Sequence, residues 1–208
     1  GSMMTGHPLS PGGCTLALLD TCVLLPSRLS DVLFDLMLAG LYDAHWTADV
    51  ETEFLRNWPQ VHLDSAPSAS LKRLAAFQRA TRGGHEVFGY AAHVYEKQVP
   101  RAVHANDRHL VAAALVLQST IGEEPESRVV IVSSNTKRLA PLATRKLGVE
   151  VMAPGAFIDG LYELAPERTL GAVARSLSDL KKPPYTRLQL AEALKLHGVK
   201  KLAKILIE

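Results

Sequence analysis

The sequence predicts an α/β fold in which helices sandwich a parallel β-sheet and a helical extension follows at the C-terminus. Short apolar runs at residues 15–19 and 128–133 have the length and composition of strands that are buried on both faces. Segments with apolar residues at helical spacing separate these runs, and such alternation is typical of a parallel sheet covered by helices. Ligands in these folds bind beyond the carboxyl ends of the strands, where Asp20 and Asn135 lie.

Local signals predict the other elements. Further strands are predicted at residues 149–152 and, in shorter form, at 41–46 and 87–90. Thr47 is expected to cap a helix that runs through Trp58 and stops at Pro59. The remaining helices are predicted to begin at Ser27 or Ser30 and end at Gly40, to span 69–82, to run from Asn106 or Asp107 through Leu117, and to span 137–147.

Three regions are predicted along the chain. Residues 1–13 begin with Gly-Ser-Met, which is typical of an expression-tag remnant, and their Gly, Pro and Ser content predicts disorder. Residues 14–154 carry the alternating pattern and form the predicted domain. Residues 155–208 form the helical extension, with a break at 181–184 and a helix capped by Thr186. We expect this extension to pack on the domain or to build a homodimer.

Composition excludes several classes of protein. The net charge of +2 permits nucleic-acid binding without arguing for it, so any basic surface must be local. Cys14 and Cys22 lie close together around one extended segment, which predicts no disulfide, and two cysteines make no zinc framework. We therefore expect a reducing, cytoplasmic location. No run of 18 apolar residues occurs, so no membrane span is predicted.

Three acidic residues are the candidates for chemistry. Asp20 follows a strand, Glu53 lies in a predicted helix, and Asp107 lies at a helix start. Carboxylates that meet away from water repel each other unless a cation lies between them, and Mg²⁺ and Mn²⁺ prefer such oxygen ligands. Each residue also has an ordinary interpretation, as a turn residue, a solvated side chain or a helix cap. Spacing alone favours these ordinary interpretations.

Four motifs, taken in order, resemble those of the PIN-domain family. Residues 18–24 (LLDTCVL) are similar to its opening, a strand followed by Asp and then Thr or Ser. Residues 51–57 (ETEFLRN), 107–114 (DRHLVAAA) and 130–135 (VIVSSN) are similar to the second, third and fourth motifs. Order and spacing agree over residues 16–153. The chain looks most like the bacterial PIN ribonucleases that act as toxins of VapBC-type toxin–antitoxin pairs, and this implies a PIN-like, Rossmann-like sheet.

The resemblance implies a role for each matching residue. Asp20, Glu53 and Asp107 would bind Mg²⁺ or Mn²⁺, and Asn135 would complete the catalytic set by contacting a metal-bound water or the ligand cluster. Thr21 and Ser133 would hydrogen-bond to the ligands and orient them. A metal-activated water would attack the phosphorus of RNA and leave a 5′-phosphate and a 3′-hydroxyl.

Basic and polar residues near the motifs are predicted to contact RNA phosphates, because a nucleic-acid groove needs local positive charge. Ordinary solvated faces explain the charged ones equally well. His109 is expected to be packed or exposed rather than a metal ligand, and Asp31 and Asp35 to lie on an exposed helix face. Trp46 and Trp58 are predicted to pack in the core or against the C-terminal extension rather than to stack on bases. The predicted RNA contacts are Arg56, His104, Arg108, Lys137 and Arg138.

The sequence departs from the family pattern in ways that affect activity. Many members carry Asp at the position of Asn135 and an acidic residue at that of Arg138, and relatives often have another Asp before Asp107, where this chain has His104 and Asn106. The three carboxylates predict one tightly bound cation. These departures leave a catalytically weak or inactive module open as an alternative.

Three functions follow in order of preference. The first is an Mg²⁺- or Mn²⁺-dependent endoribonuclease, the toxin partner of an antitoxin protein. The second is a PIN-like module that has lost catalysis and binds RNA or a protein. The third, a phosphatase or a nuclease acting on DNA flaps, ranks last because the chain lacks the long insertions that flap nucleases use.

Overall fold

A parallel four-stranded sheet forms the centre of the computed structural model, which describes residues 14–181 and 184–208. Its strand order is β2-β1-β3-β4, and every neighbouring pair is parallel. This confirms the predicted α/β class, whereas the predictions for residues 1–13 lie outside the described residues. The strands are β1 (Thr15–Leu19), β2 (Asp43–His45), β3 (Arg128–Val132) and β4 (Val149–Met152).

Helices cover both faces of this sheet. Every residue of β1 is buried. The alanine-rich helix Arg108–Ile121 packs closely against β1, because small side chains let the two backbones approach each other. Short 3₁₀ helices at Ala105–Asp107 and Thr136–Leu139 accompany the α-helices. Within the described residues the α-helices are α1 (Thr21–Leu24), α2 (Ser27–Leu38), α3 (Ala48–Val61), α4 (Ala69–Ala80), α5 (His93–Glu96), α6 (Arg108–Ile121), α7 (Pro141–Arg145), α8 (Pro154–Leu164), α9 (Pro166–Asp179), α10 (Arg187–Lys195) and α11 (Lys201–Ile207).

The strand predicted at residues 87–90 is wrong. Only one bridge forms there, between Trp46 and Glu86, and the positive φ of Gly89 then turns the chain away. Without a partner strand to pair with, local apolar character does not produce an extended element. The core positions predicted for Trp46 and Trp58 are confirmed, since both side chains are buried.

Proline explains two further differences. Helix α3 does not stop before Pro59 but continues to Val61, because a proline in the last turn removes one hydrogen bond without ending the helix. The helix predicted over 137–147 is broken at Ala140, which has a φ of +45°, and α7 begins at Pro141. Proline is common at the first position of a helix, so Pro141 indicates a new helix start, which the prediction of one continuous helix does not take into account.

The C-terminal helices predicted after Pro154 are present and pack on the rest of the chain. Helices α9 and α10 lie against α2. Phe157 of α8 meets the buried ring of Tyr42 edge-on, with centroids 5.0 Å apart. The Arg168 guanidinium donates to the carbonyl of Ala39. These contacts place the extension against the helices that cover the sheet.

Among the described residues, no helix is long and apolar enough to cross a bilayer.

Asp159 connects two helices of the extension, α8 and α11. This buried carboxylate of α8 accepts hydrogen bonds from three consecutive backbone N–H groups, those of Lys200, Lys201 and Leu202. A carboxylate at a helix N-terminus satisfies N–H groups that have no partner within the helix and interacts favourably with the helix dipole. It therefore fixes the start of α11 against α8.

Gly155→Ala should destabilise the protein, because a Cβ on Gly155 would lie 2.3 Å from the carbonyl carbon of Gly198. We expect a loss of about 2 kcal/mol or more from this overpacking. Gly160 lies in the same helix and has open space around it, so Gly160→Ala should instead stabilise the protein by about 0.5–1 kcal/mol through helix propensity. Urea unfolding of both variants measures this, and equal effects would contradict the close approach.

Candidate functional site

Asp20 lies at the carboxyl end of β1 and is held on both sides. Its backbone N–H donates to the carbonyl of Val132, at 3.1 Å, which continues the pairing of β1 with β3 by one residue. Its Oδ1 accepts from the Thr21 N–H at 2.7 Å, and its Oδ2 accepts from the Ser133 hydroxyl at 2.7 Å. With 7% of the residue exposed, these bonds orient the carboxylate in a nearly dry environment.

Glu53 reaches the same place from α3. Thr47 caps this helix through its side chain, and the buried stripe Val50, Phe54 and Trp58 fixes which face meets the core. Glu53 lies at the border of that stripe, where its Oε2 accepts from the Thr21 hydroxyl at 2.8 Å.

Glu51, by contrast, faces away from this position. Its Oε1 accepts from Trp46 and Gln78. The local helix geometry therefore selects Glu53, and not Glu51, as the neighbour of Asp20.

Asp107 approaches from the third direction. It ends the 3₁₀ helix Ala105–Asp107 and precedes the first residue of α6. Its Oδ2 lies 2.8 Å from Arg138 Nε in an ion pair, yet this buried oxygen accepts no hydrogen bond of proper angle among the described residues. The oxygen therefore keeps capacity to bind a further group, which a buried carboxylate oxygen rarely does.

The three carboxylates line one pocket of about 450 Å³ at the carboxyl ends of β1 and β3. Two larger pockets, of about 710 and 660 Å³, have mainly apolar linings and contain none of these residues. The full lining of the polar pocket is Asp20, Thr21, Cys22, Leu25, Glu53, Arg56, Asn57, Asn106, Asp107, Asn135 and Arg138.

Carboxylate and amide oxygens of this kind have the chemistry that Mg²⁺ and Mn²⁺ require, and Asp107 Oδ2, which accepts no hydrogen bond among the described residues, would become available to such a cation once Arg138 moves. The geometry is not yet that of a closed metal site. Among the described residues, no group of three Asp, Glu, His or Cys side chains lies close enough together to hold a metal ion. Binding a cation here would require the carboxylates to draw inward and Arg138 to move from Asp107.

Some of the other predicted site residues line the polar pocket, and others lie outside it. Ser133 contacts Asp20 directly and accepts from the Asn135 N–H at 3.1 Å, and Asn135 and Arg56 line the pocket. Lys137 is exposed and lies outside the pocket lining. The guanidinium of Arg108 donates to the carbonyls of Val99 and Pro100, so it supports the preceding loop.

His104 lies in the loop before α6, directly before the 3₁₀ helix Ala105–Asp107. Its Nδ1 accepts from the Asn106 N–H and lies 3.1 Å from the Arg138 guanidinium. It is exposed and lies outside the pocket lining, beside the ion pair that Arg138 makes. The predicted contacts of these residues with RNA stay predictions.

His109 lies beside the candidate site. It is half-buried, as expected of a packed side chain, and its Nε2 lies 3.6 Å from Glu53 Oε1.

Asp31 differs from its predicted exposure, because it is partly buried and pairs with Arg28 and Arg73.

Cys22 is a site neighbour that the sequence patterns do not indicate. Its thiol lies 3.4 Å from Asp20 Oδ2, and both cysteines are free. Burial, and then the charge of Asp20, raise the pKa of the Cys22 thiol to about 11. Its position two residues after Asp20, in the first turn of α1, is the one signal that could have found it.

Comparisons with known proteins bear on the extension. Residues 154–207, about a quarter of the chain, match the family model described as the VapC50 C-terminal domain. The matched range begins at the first residue of α8 and includes neither the sheet nor the polar pocket. No curated protein and no solved structure matches the chain. The extension is thus similar to a domain of a VapC-related toxin family.

Cys22 should react slowly with iodoacetamide at pH 8, because only the thiolate is nucleophilic and its pKa of about 11 leaves little thiolate. Relative to an ordinary thiol, we expect alkylation to be about 100-fold slower in the folded chain, since each pKa unit changes the thiolate fraction about tenfold. Mass spectrometry of the Cys22 peptide measures the rate, with the urea-unfolded chain as the reference. Equal rates would contradict the buried position beside Asp20.

Proposed function

We propose that this chain is an Mg²⁺- or Mn²⁺-dependent endoribonuclease and the toxin of a toxin–antitoxin pair. The observation that carries the proposal is the convergence of Asp20, Glu53 and Asp107, which are far apart in sequence, on one polar pocket at the carboxyl ends of parallel strands. The PIN-like motif order across residues 16–153 supports the nuclease activity. The similarity of residues 154–207 to the VapC50 C-terminal domain supports the toxin assignment.

Asp20, Glu53 and Asp107 would hold the cation. A divalent ion bound there supplies a water of lowered pKa and neutralises charge on the phosphodiester. Ser133 and Thr21 keep the Asp20 and Glu53 carboxylates oriented through hydrogen bonds of 2.7 and 2.8 Å. Because these two carboxylates are held before any ligand arrives, less side-chain entropy is lost when they bind one.

The basic residues of the pocket would position RNA. Arg56 lines the pocket on α3, one helical turn beyond Glu53, so its guanidinium can meet a phosphate that lies against the carboxylates. The exposed Asn135 amide lines the same pocket after β3 and would contact the ligand cluster or the nucleotide. The pocket lining contains no aromatic ring among the described residues, which argues for recognition of the backbone rather than base stacking.

An antitoxin of the VapB type is the proposed protein partner. The match to the VapC50 C-terminal domain supports this partner through the family it names. A cytoplasmic location and a homodimer remain predictions that follow from the sequence.

A second candidate is a PIN-like module that binds RNA or protein without cleaving. The observation that favours it is the Asp107–Arg138 ion pair, which neutralises one of the three acids, together with the lack of a converged three-ligand group among the described side chains. This module would bind RNA without any requirement for a divalent cation.

Asp20→Asn should reduce RNA cleavage at least about 100-fold, since it removes the charge that a cation and its activated water need. Cleavage of a 5′-labelled RNA in the presence of Mn²⁺ measures this, and EDTA should abolish the wild-type reaction. Asp64→Asn removes the same charge from an exposed position after α3 and should leave cleavage unchanged.

Circular dichroism of both variants checks that the fold is retained. If Asp20→Asn cleaves RNA at the same rate as the wild-type chain, the proposed site is wrong. If the wild-type chain binds RNA equally with and without EDTA and never cleaves it, the binding module is the correct function.

A further inference from the structure

Arg138 lies where a cation would be expected. We propose that its guanidinium is an internal counter-ion for Asp107 that competes with the divalent cation for this carboxylate. The inference rests on the proposed function, because it concerns the same pocket. It assigns Arg138 a role in setting metal affinity, which is separate from the predicted role of contacting RNA.

The first observation is the geometry of the ion pair. Arg138 Nε lies 2.8 Å from Asp107 Oδ2, and the Asp107 side chain is only 13% exposed. A pair with one partner so shielded is screened less by water and salt than a surface pair. The contact nevertheless lacks proper hydrogen-bond angles, so it acts mainly through charge.

The second observation is how the arginine is anchored. Its backbone N–H donates to the carbonyl of Asn135 at 3.1 Å, and its own carbonyl accepts from the N–H of His104 at 2.8 Å. The guanidinium also lies 3.1 Å from the His104 ring. Arg138 therefore joins the 3₁₀ helix after β3 to the loop before α6, and these bonds fix its backbone close to Asp107.

The third observation is the charge of the pocket. Three carboxylates line it, and among the described residues its cationic side chains are Arg56 and Arg138. Of these two, Arg138 forms an ion pair with a pocket carboxylate, that of Asp107. In the absence of metal, the guanidinium offsets repulsion that the carboxylates would otherwise impose on the fold.

Competition follows from these three observations. A divalent ion bound to Asp107 would meet a guanidinium at the same oxygen, and two cations so close repel each other strongly. The Arg138 side chain is 41% exposed, so it has an open path to solvent when displaced. The cost of breaking its contact with Asp107 is subtracted from the free energy of metal binding.

Titration of the full chain with Mn²⁺ by isothermal calorimetry tests the inference. Arg138→Gln removes the counter-ion and should bind Mn²⁺ about tenfold more tightly than the wild-type chain, a magnitude typical of a partly buried charged contact. Lys137→Gln is the matched control, because it removes the same charge from the adjacent, exposed residue outside the pocket. Its Mn²⁺ affinity should change less than about twofold, since charges that act through water interact weakly.

The outcomes separate the inference from the proposed function. If the wild-type chain binds Mn²⁺ and Arg138→Gln binds it equally or more weakly, the competition is overturned and the metal site stands. If neither chain binds Mn²⁺, both are overturned. Arg138→Met keeps the aliphatic stem and repeats the test should the glutamine variant fold poorly, as judged by circular dichroism. Tighter binding that Lys137→Gln reproduces in full would also overturn the inference, because general charge would explain it.

Discussion

The parallel pairing of β1 with β3 brings the first two groups of the polar pocket together. The register sets Leu19 opposite Val132, so the next residues, Asp20 and Ser133, emerge side by side although 113 positions separate them. The Asp20 N–H continues the ladder to Val132, and the Ser133 hydroxyl then reaches the carboxylate. A register shift of one residue in either strand would turn the side chains of that strand to the opposite face of the sheet, so Asp20 and Ser133 would no longer lie side by side.

Helices carry the two other acids to this edge by separate means. Glu53 is positioned by the buried stripe of α3 and held by Thr21, which itself follows Asp20. Asp107 is positioned by a 3₁₀ helix and met by Arg138 from the loop after β3. The site is thus built from two strand ends and two helix segments, and the Arg138 guanidinium pairs with one of its three carboxylates.

Much of this arrangement could be predicted from the sequence, because strand ends and helix caps have local signals. The parallel sheet, the position of Asp20 after β1 and the Thr47 cap follow from apolar runs and from residue types at their borders. Side-chain partners across the fold have no such signal. The Asp107–Arg138 and Glu53–His109 pairs depend on how segments that are distant in sequence pack together. The break at Ala140 depends on Pro141, which the helical spacing of apolar residues does not reveal.

A crystal structure of the full chain with Mn²⁺, with the ion located by anomalous scattering, would show whether the three carboxylates bind one cation. We expect one strong peak in the polar pocket, with carboxylate oxygens of Asp20, Glu53 and Asp107 at about 2.1–2.3 Å from it. Arg138 should have moved from Asp107. An empty pocket at saturating Mn²⁺, or a peak bound by other side chains with these carboxylates turned away, would rule out the proposed metal site.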